Sequence, residues 1–290
     1  LGRTPILGLQ IREGLPWQHL LSYVEAVLRV YNRHGRRDNK YKARIKILLK
    51  ELGVDVFRNK VEAEWQYTKD GPNTLTENEF KRCKAFFTDP VYDTLVNDDA
   101  AVSAKLNSDI RFNNWMERNV RDHKQIGYRI VTLCLKATGA APGDLDAEQM
   151  EFVADLADRY SFGELRVTHE QNLVLTDVKL VDLPALYDAL QREHLATPYT
   201  GLLNDMISCP GGDFCSLANA KSIPVAEAIQ RKFEDLDYVY DLGDLELNIS
   251  GCMNACGHHH VGHIGILGVD KKGEEWYQIQ IGGSASKQAA

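Results

Sequence analysis

Two cysteine pairs constrain this 290-residue chain more than any other feature: Cys209 and Cys215 in "MISCPGGDFCSLANAKS", and Cys252 and Cys256 in "LNISGCMNACGHHHVGH". Both pairs sit in glycine-bearing turns where chain elements meet. Four converging thiolates suit either tetrahedral zinc or an iron–sulfur cluster, and spacing separates the two. Structural zinc takes each ligand pair from a turn with about two to four intervening residues. Here five residues lie between Cys209 and Cys215 and three between Cys252 and Cys256. The wider gap suits a larger object, a cubane with irons at separate corners and sulfurs approached by the backbone N–H groups of glycine-rich turns. Cys83 in "FKRCKAF" and Cys134 in "VTLCLK" each stand alone in a periodic element and read as structural residues.

No apolar stretch approaches the roughly 18 residues needed to cross a bilayer, and no signal-peptide pattern opens the chain. No membrane association is expected, and the default setting is cytoplasmic, where clustered thiols stay reduced and serve metals or catalysis rather than disulfides. The 34 basic and 41 acidic residues leave a net charge of -7 without a basic run of nucleic-acid-binding type, so no nucleic-acid partner is expected. The local basic stretch "RHGRRDNKYKARIK" reads as a solvated helix face. With Leu1 at its start and "GGSASKQAA" directly after its last strand-like segment, the sequence reads as an excerpt of a longer protein.

The segment "WQHLLSYVEAVLRVY" predicts an amphipathic helix with Leu20, Val24, Val27, Leu28 and Tyr31 on its core face and Pro16 at its start. "YKARIKILLKELG" predicts a second helix closed by Gly53. Residues 66–120, polar and broken by "DGPN" and "TDP", read as a connecting segment with short helices. From about residue 121 strands and helices alternate. "IGYRIVTLCL" reads as a strand, "DAEQMEFVADLADRY" as a helix with an acidic first turn, "GELRVT" and "NLVLTDV" as a strand pair, and "LPALYDALQREHL" as a helix. That order is most of a ferredoxin-like unit. Beyond it, "SLANAKSIPVAEAIQRKF" predicts a helix, "LELNIS" a strand and "HIGILGVDKKGEEWYQIQIGG" a hairpin. The fold class expected is α+β.

A C-x5-C pair followed about 37 residues later by C-x3-C, the second framed as "NISGCMNACG", resembles the sirohaem and 4Fe-4S motif of the sulfite and nitrite reductase family. "GELRVTHEQNLVLTDV" resembles that family's ferredoxin-like repeat, and "NKYKARIKILLKELG" resembles the close of its first cofactor-type domain. The wording "CMNACGHHHVGHIGILGVDKKGEEWYQ" looks most like the proteobacterial assimilatory sulfite reductase branch. The resemblance implies a remnant of a first sirohaem/Fe-S-type domain over 1–65 and a helical connector over 66–120. It implies a ferredoxin-like domain over 121–200 and a mixed α/β cluster- and sirohaem-binding domain, cut short at its end, over 201–290. Carried over by position, Cys209, Cys215, Cys252 and Cys256 would hold the cluster, and Cys256 would also bridge to the sirohaem iron as the catalytic thiolate. Asn254 and Gly257, which flank those thiols, would contact cofactor.

The activity so implied is six-electron reduction of sulfite, with nitrite as the close alternative and a ferredoxin or a flavoprotein reductase as electron donor. Two departures stand out. Met253 occupies a position where many relatives carry proline. The arginines and lysines that bind the substrate anion in this family belong to an N-terminal half that this sequence does not contain. A cluster-holding module without substrate chemistry and a zinc-stabilised structural domain are the competing readings, separable from the first by an absorption spectrum.

Arg166, Thr168, Gln171 and Asn172 lie in the "RVTHEQN" turn. They read either as contacts to the anionic edge of sirohaem, which Arg forks suit, or as a polar turn bonding its own backbone. His258, His259, His260 and His263 invite a metal reading. Adjacent strand residues alternate in direction, so three in a row cannot meet one ion from one face. A cofactor-carboxylate or supporting role for one or two of them is weighed against surface and packing roles for the rest.

Overall fold

The computed structural model describes residues 6, 8–39 and 42–284. The chain divides into two compact units, one spanning Pro5–Pro90 and the other running from Val91 onward. The first unit is helical: α1 (Leu20–His34), α2 (Ile45–Leu52), α3 (Val54–Thr68) and α4 (Glu77–Lys84). Its core joins Tyr23, Ala26 and Val30 of α1 to Leu48 of α2 and to Phe57, Val61 and Trp65 of α3.

That core corrects the expected face of α1. Leu20, Val24 and Leu28 are exposed, and Val27 and Tyr31 only half-buried, while the buried stripe runs through Tyr23, Ala26 and Val30. The helix is apolar on two adjoining stripes, and α3 packs on the one where small Ala26 allows close approach. The buried carboxylate of Glu64 selects the same stripe by pairing with Arg29 and Arg33 of α1. The basic stretch is also corrected: α1 ends at His34, and the described residues from there to Arg44 are non-helical, with Arg36 paired to Asp38 at 2.8 Å. Ile6 and residues 8–11 form no strand, and the other residues at the start of the "GRTPILGLQI" segment lie outside the described residues.

The second unit opens with α5 (Ala100–Ser108) and α6 (Ile110–Asn119), capped by the side chains of Asp99 and Asp109. A four-stranded antiparallel sheet follows, from β1 (Val120–Asp122), β2 (Tyr128–Leu133), β3 (Leu165–Val167) and β4 (Leu173–Lys179) in the order β1-β2-β4-β3. Between β2 and β3 runs α7 (Ala147–Tyr160), opened by a reciprocal capping box: Asp146 Oδ1 accepts from the Gln149 N–H at 2.7 Å, and Gln149 Oε1 accepts from the Asp146 N–H at 3.2 Å. After β4 comes α8 (Leu183–Arg192). Phe112, Trp115, Val131, Leu133, Val153, Leu175, Leu186 and Leu190 form the shared core of helices and sheet. Burying side chains of this size contributes about 1.5–3 kcal/mol each.

A second sheet carries the cysteines: β5 (Ile207–Ser208), β6 (Leu247–Ser250), β7 (Ile264–Lys271) and β8 (Glu274–Ile281), in that order. β5, β6 and β7 are parallel, and β8 closes an antiparallel hairpin on β7. The connections hold α9 (Gly211–Phe214), α10 (Ile223–Lys232) and α11 (Leu236–Leu242). The helix expected from Ser216 starts only at Ile223, with Pro224 in its first turn. Residues before it are held off a helical path because the Asn219 and Ala220 N–H groups donate to the Gly251 carbonyl, at 2.8 and 3.0 Å.

Candidate cluster site

Neighbouring parallel strands deliver both cysteine turns to one edge. Ser208 of β5 lies opposite Ile249 of β6, so Cys209 and the Gly251-Cys252 step leave their strands side by side at the carboxyl ends. Open sheets with parallel strands place their ligands at that edge. The Cys209 N–H continues the ladder to the Ile249 carbonyl at 3.1 Å. The Gly251 N–H donates to Cys209 Sγ at 3.1 Å, and Ser222 Oγ lies 3.5 Å from the same sulfur. Cys215 closes α9, its N–H on the Gly211 carbonyl at 2.9 Å.

The two turns fit together only because side chains are missing between them. A Cβ on Gly251 would stand 2.7 Å from the Ala220 carbonyl oxygen and 2.9 Å from Gly211 Cα. A Cβ on Gly257 would fall 1.9 Å from the Ile249 carbonyl oxygen, and its N–H is spent on Ser250 Oγ at 3.1 Å. Gly257 therefore anchors the second turn against β6. Ala255, at φ 58°, bends the segment between Cys252 and Cys256, and its N–H returns to the Cys252 carbonyl at 3.1 Å.

Cys252 is buried, Cys209 and Cys215 are half-buried, and Cys256 is exposed. Burial first, then the neighbouring thiols of Cys209, Cys252 and Cys215, push the Cys256 thiol above its ordinary value. Among the described residues, no three His, Cys, Asp or Glu side chains converge on a point that would hold a single ion. A backbone N–H is already aimed at one of the four sulfurs, that of Cys209. Exposed Phe214, Leu217 and Met253 stand next to these ligands in the chain.

The "RVTHEQN" residues meet this site unequally. Arg166 lies on exposed β3, its Nε donating to Glu164 at 2.5 Å. Thr168 and Asn172 close the turn on each other, the Thr168 N–H on the Asn172 carbonyl at 2.9 Å and the Asn172 N–H on Thr168 Oγ1 at 3.2 Å. Gln171, at φ 61°, sends its side-chain amide to the backbone of Ser208, the residue before Cys209. Asn254 is half-buried between the cysteines of the second pair.

Sequence reasoning missed the group beneath this turn. The fully buried Lys136 ammonium donates to the carbonyls of Glu170 and Gln171 at 2.7 and 3.0 Å and to Asn172 Oδ1 at 2.8 Å, with Asp205 as counter-ion at 3.3 Å. Asp205 in turn accepts from Asn172 Nδ2 at 2.8 Å and from the Gly201 N–H at 3.0 Å. The only hint in sequence is a lysine directly after the apolar run "VTLCL", which continues past the end of β2 at Leu133.

The histidines do not converge. His258 is exposed, and His263 Nδ1 accepts the Glu246 N–H at 3.0 Å. His259 is buried, and neither of its ring nitrogens has a partner among the described residues. Its ring lies 3.9 Å from that of His260, and burial, with that neighbour's charge, lowers its pKa to about 4.

An antiparallel helix-covered sheet followed by a mixed sheet whose parallel strands carry the two cysteine turns defines a protein of α+β class. Two family models match the chain: the nitrite/sulfite reductase ferredoxin-like half domain over residues 122–193, and the nitrite and sulphite reductase 4Fe-4S domain over residues 1–69. Neither matched span includes the four clustered cysteines. A chloroplastic ferredoxin–nitrite reductase of Zea mays is 31% identical, aligned over 89% of this chain and 40% of its own length. Sulfite reductase [ferredoxin] 1 of Mycolicibacterium paratuberculosis is 24% identical over 100% of this chain and 47% of its own. The Mycobacterium tuberculosis NirA protein shares the fold, with a TM-score of 0.64 and 24% identity over 98% of this chain and 46% of its own. The chain belongs to the nitrite and sulfite reductase family, oxidoreductases that carry a 4Fe-4S cluster and sirohaem. It spans about two fifths to one half of the length of the relatives it matches.

Proposed function

We propose that this chain is the cofactor-holding C-terminal part of a sulfite reductase haemoprotein. The observation that carries this reading is the meeting of both cysteine turns at the carboxyl ends of β5 and β6, where the Gly251 N–H of the second turn donates to Cys209 Sγ of the first at 3.1 Å. Cys209, Cys215, Cys252 and Cys256 are the proposed ligands of one 4Fe-4S unit, and Cys256, the exposed member, is the thiolate proposed to be shared with the sirohaem iron. When bound, that pair of groups supplies electrons one at a time to a small oxyanion, as a six-electron reduction requires.

The chain's own residues prepare the site. The Gly251 N–H delocalises thiolate charge on Cys209 through its 3.1 Å bond, which favours the reduced state of a bound cluster. Exposed Phe214, Leu217 and Met253 offer apolar surface to the face of a macrocycle. Sulfite is favoured by the wording around the second cysteine pair; nitrite is the second reading, since the plant relatives are nitrite reductases. The names of relatives of both kinds support a ferredoxin as electron donor over a flavoprotein. A cytoplasmic setting belongs to the same proposal. Among the described residues, no helix is long and apolar enough to cross a membrane.

Anaerobic reconstitution with iron and sulfide tests the ligand set. The expected result is about four irons and four acid-labile sulfides per chain, lost in Cys209→Ser and Cys256→Ser and retained in Cys83→Ser and Cys134→Ser. One tightly bound zinc without sulfide would overturn the reading in favour of a structural metal site.

A further inference from the structure

We infer that Gln171 is a positioning residue for the Cys209 thiolate: its side-chain amide clamps the free edge of β5 at the residue immediately before that ligand. The inference rests on the reading of Cys209 as a cluster ligand. β5 is two residues long and lies at the edge of its sheet. In a parallel ladder alternate residues turn their backbone groups toward the neighbouring strand, so Cys209 faces β6 and Ser208 faces outward. Gln171 takes the place of the missing strand. Its Oε1 accepts the Ser208 N–H at 2.8 Å and its Nε2 donates to the Ser208 carbonyl at 2.9 Å. One side chain thereby supplies the two bonds that a neighbouring strand would supply.

The clamp is built rather than incidental. Gln171 holds a left-handed backbone, at φ 61°, which a non-glycine residue adopts only when its surroundings impose it. They do so here from three sides. The Gln171 N–H is bound to the Thr168 carbonyl at 3.3 Å, and its own carbonyl accepts from the buried Lys136 ammonium at 3.0 Å. Gly143 leaves room for its stem, since a Cβ there would stand 2.8 Å from Gln171 Cβ. Lys136 is fixed in turn by Asn172 and Asp205, and Asp205 belongs to the segment that leads into β5. The polar turn thus transmits the rigidity of the ferredoxin-like sheet to one cysteine of the site. Its amide, with both ends occupied on Ser208, reaches the cofactors through Cys209.

Two variants remove the clamp and keep the turn: Gln171→Gly, at ease with positive φ, and Gln171→Asn, which tolerates that φ but is too short to reach Ser208. Gln171→Glu keeps the acceptor and loses the donor. Amide hydrogen exchange on the metal-free chain and the electron paramagnetic resonance spectrum of the reduced, reconstituted chain are measured for all four proteins. The expected result is exchange at Ser208 and Cys209 faster by about tenfold in the Gly and Asn variants, with a smaller change in Glu. Their cluster spectrum should be broadened or lost, with the unfolding temperature close to that of the parent. A wild-type cluster spectrum in both Gly and Asn variants would overturn the inference, as would unchanged exchange at Ser208. If the parent itself binds no cluster, the cluster reading fails while the exchange data still decide the clamp; a variant that fails to fold is replaced in the comparison by the other.

Discussion

At the scale of single residues, burial without a partner is the sharpest signal around the site. Among the described residues neither ring nitrogen of His259 has a partner, and its pKa falls from 6.5 to about 4. A depressed histidine is neutral in the folded chain while the unfolded chain takes up the proton. Its contribution is complete above about pH 6.5 and is lost as pH drops toward 4. Acid titration of the unfolding midpoint should therefore show a decline across that window, and His259→Leu should flatten it. The same substitution removes the unsatisfied nitrogens and is expected to stabilise the metal-free chain by about 1 kcal/mol. A lower midpoint for His259→Leu at neutral pH would mean that the ring has a partner in solution. Gly257→Ala makes the opposite case. A methyl 1.9 Å from the Ile249 oxygen forces β6 and the second cysteine turn apart, and a loss of about 1–3 kcal/mol is expected together with failure to retain iron.

At the scale of elements, α7 is the clearest instance of local chemistry deciding structure. Its start at Ala147 follows from the Asp146–Gln149 capping box, both halves of which are in the sequence "DAEQ". Asp146→Ala should cost about 1 kcal/mol in denaturant titration while leaving the cysteine site unaffected; a change in the cluster spectrum would show that α7 is coupled to the site more tightly than its place in the core suggests. α1 shows the limit of such reasoning. Its sequence has two apolar stripes, and periodicity favoured Leu20, Val24 and Leu28, the exposed one. The choice was made by α3, through Trp65 and the Glu64 ion pairs. β5 is another limit: two residues have no period to detect, yet their pairing to β6 places Cys209.

At the scale of the whole molecule, the proposal places the cations that hold the substrate anion outside this chain. Reduction of an oxyanion needs cationic groups at the anion and proton donors at its departing oxygens. The chain alone, reconstituted with cluster and sirohaem, is therefore expected to show no appreciable sulfite or nitrite reduction with a chemical electron donor. Co-expression with the N-terminal half of a relative should restore it. Full turnover by the chain alone would refute this division of labour. The exposed stripe of Leu20, Val24 and Leu28 on α1 further predicts concentration-dependent self-association of the isolated chain, visible by sedimentation and reduced by Leu20→Lys or Leu28→Lys.

The sequence by itself determined the α+β class, the ferredoxin-like order of strand, helix, hairpin and helix, and the grouping of four cysteines into two turn-borne pairs. Each of these is written in local patterns: caps, periods and spacings that act over a few residues. Gly257 and Gln171 were noticed in the sequence, but what each touches was not readable there. Only the tertiary structure decided that Gly257 lies against β6, that Gln171 stands in for a strand beside Ser208, and that Lys136 and Asp205 form the buried ion pair beneath it. The Gln171 and Lys136 contacts join residues 37 and 69 positions apart (208 − 171 and 205 − 136). No local pattern encodes them, because the free energy of a buried charge or a filled strand edge exists only once the distant partner has arrived.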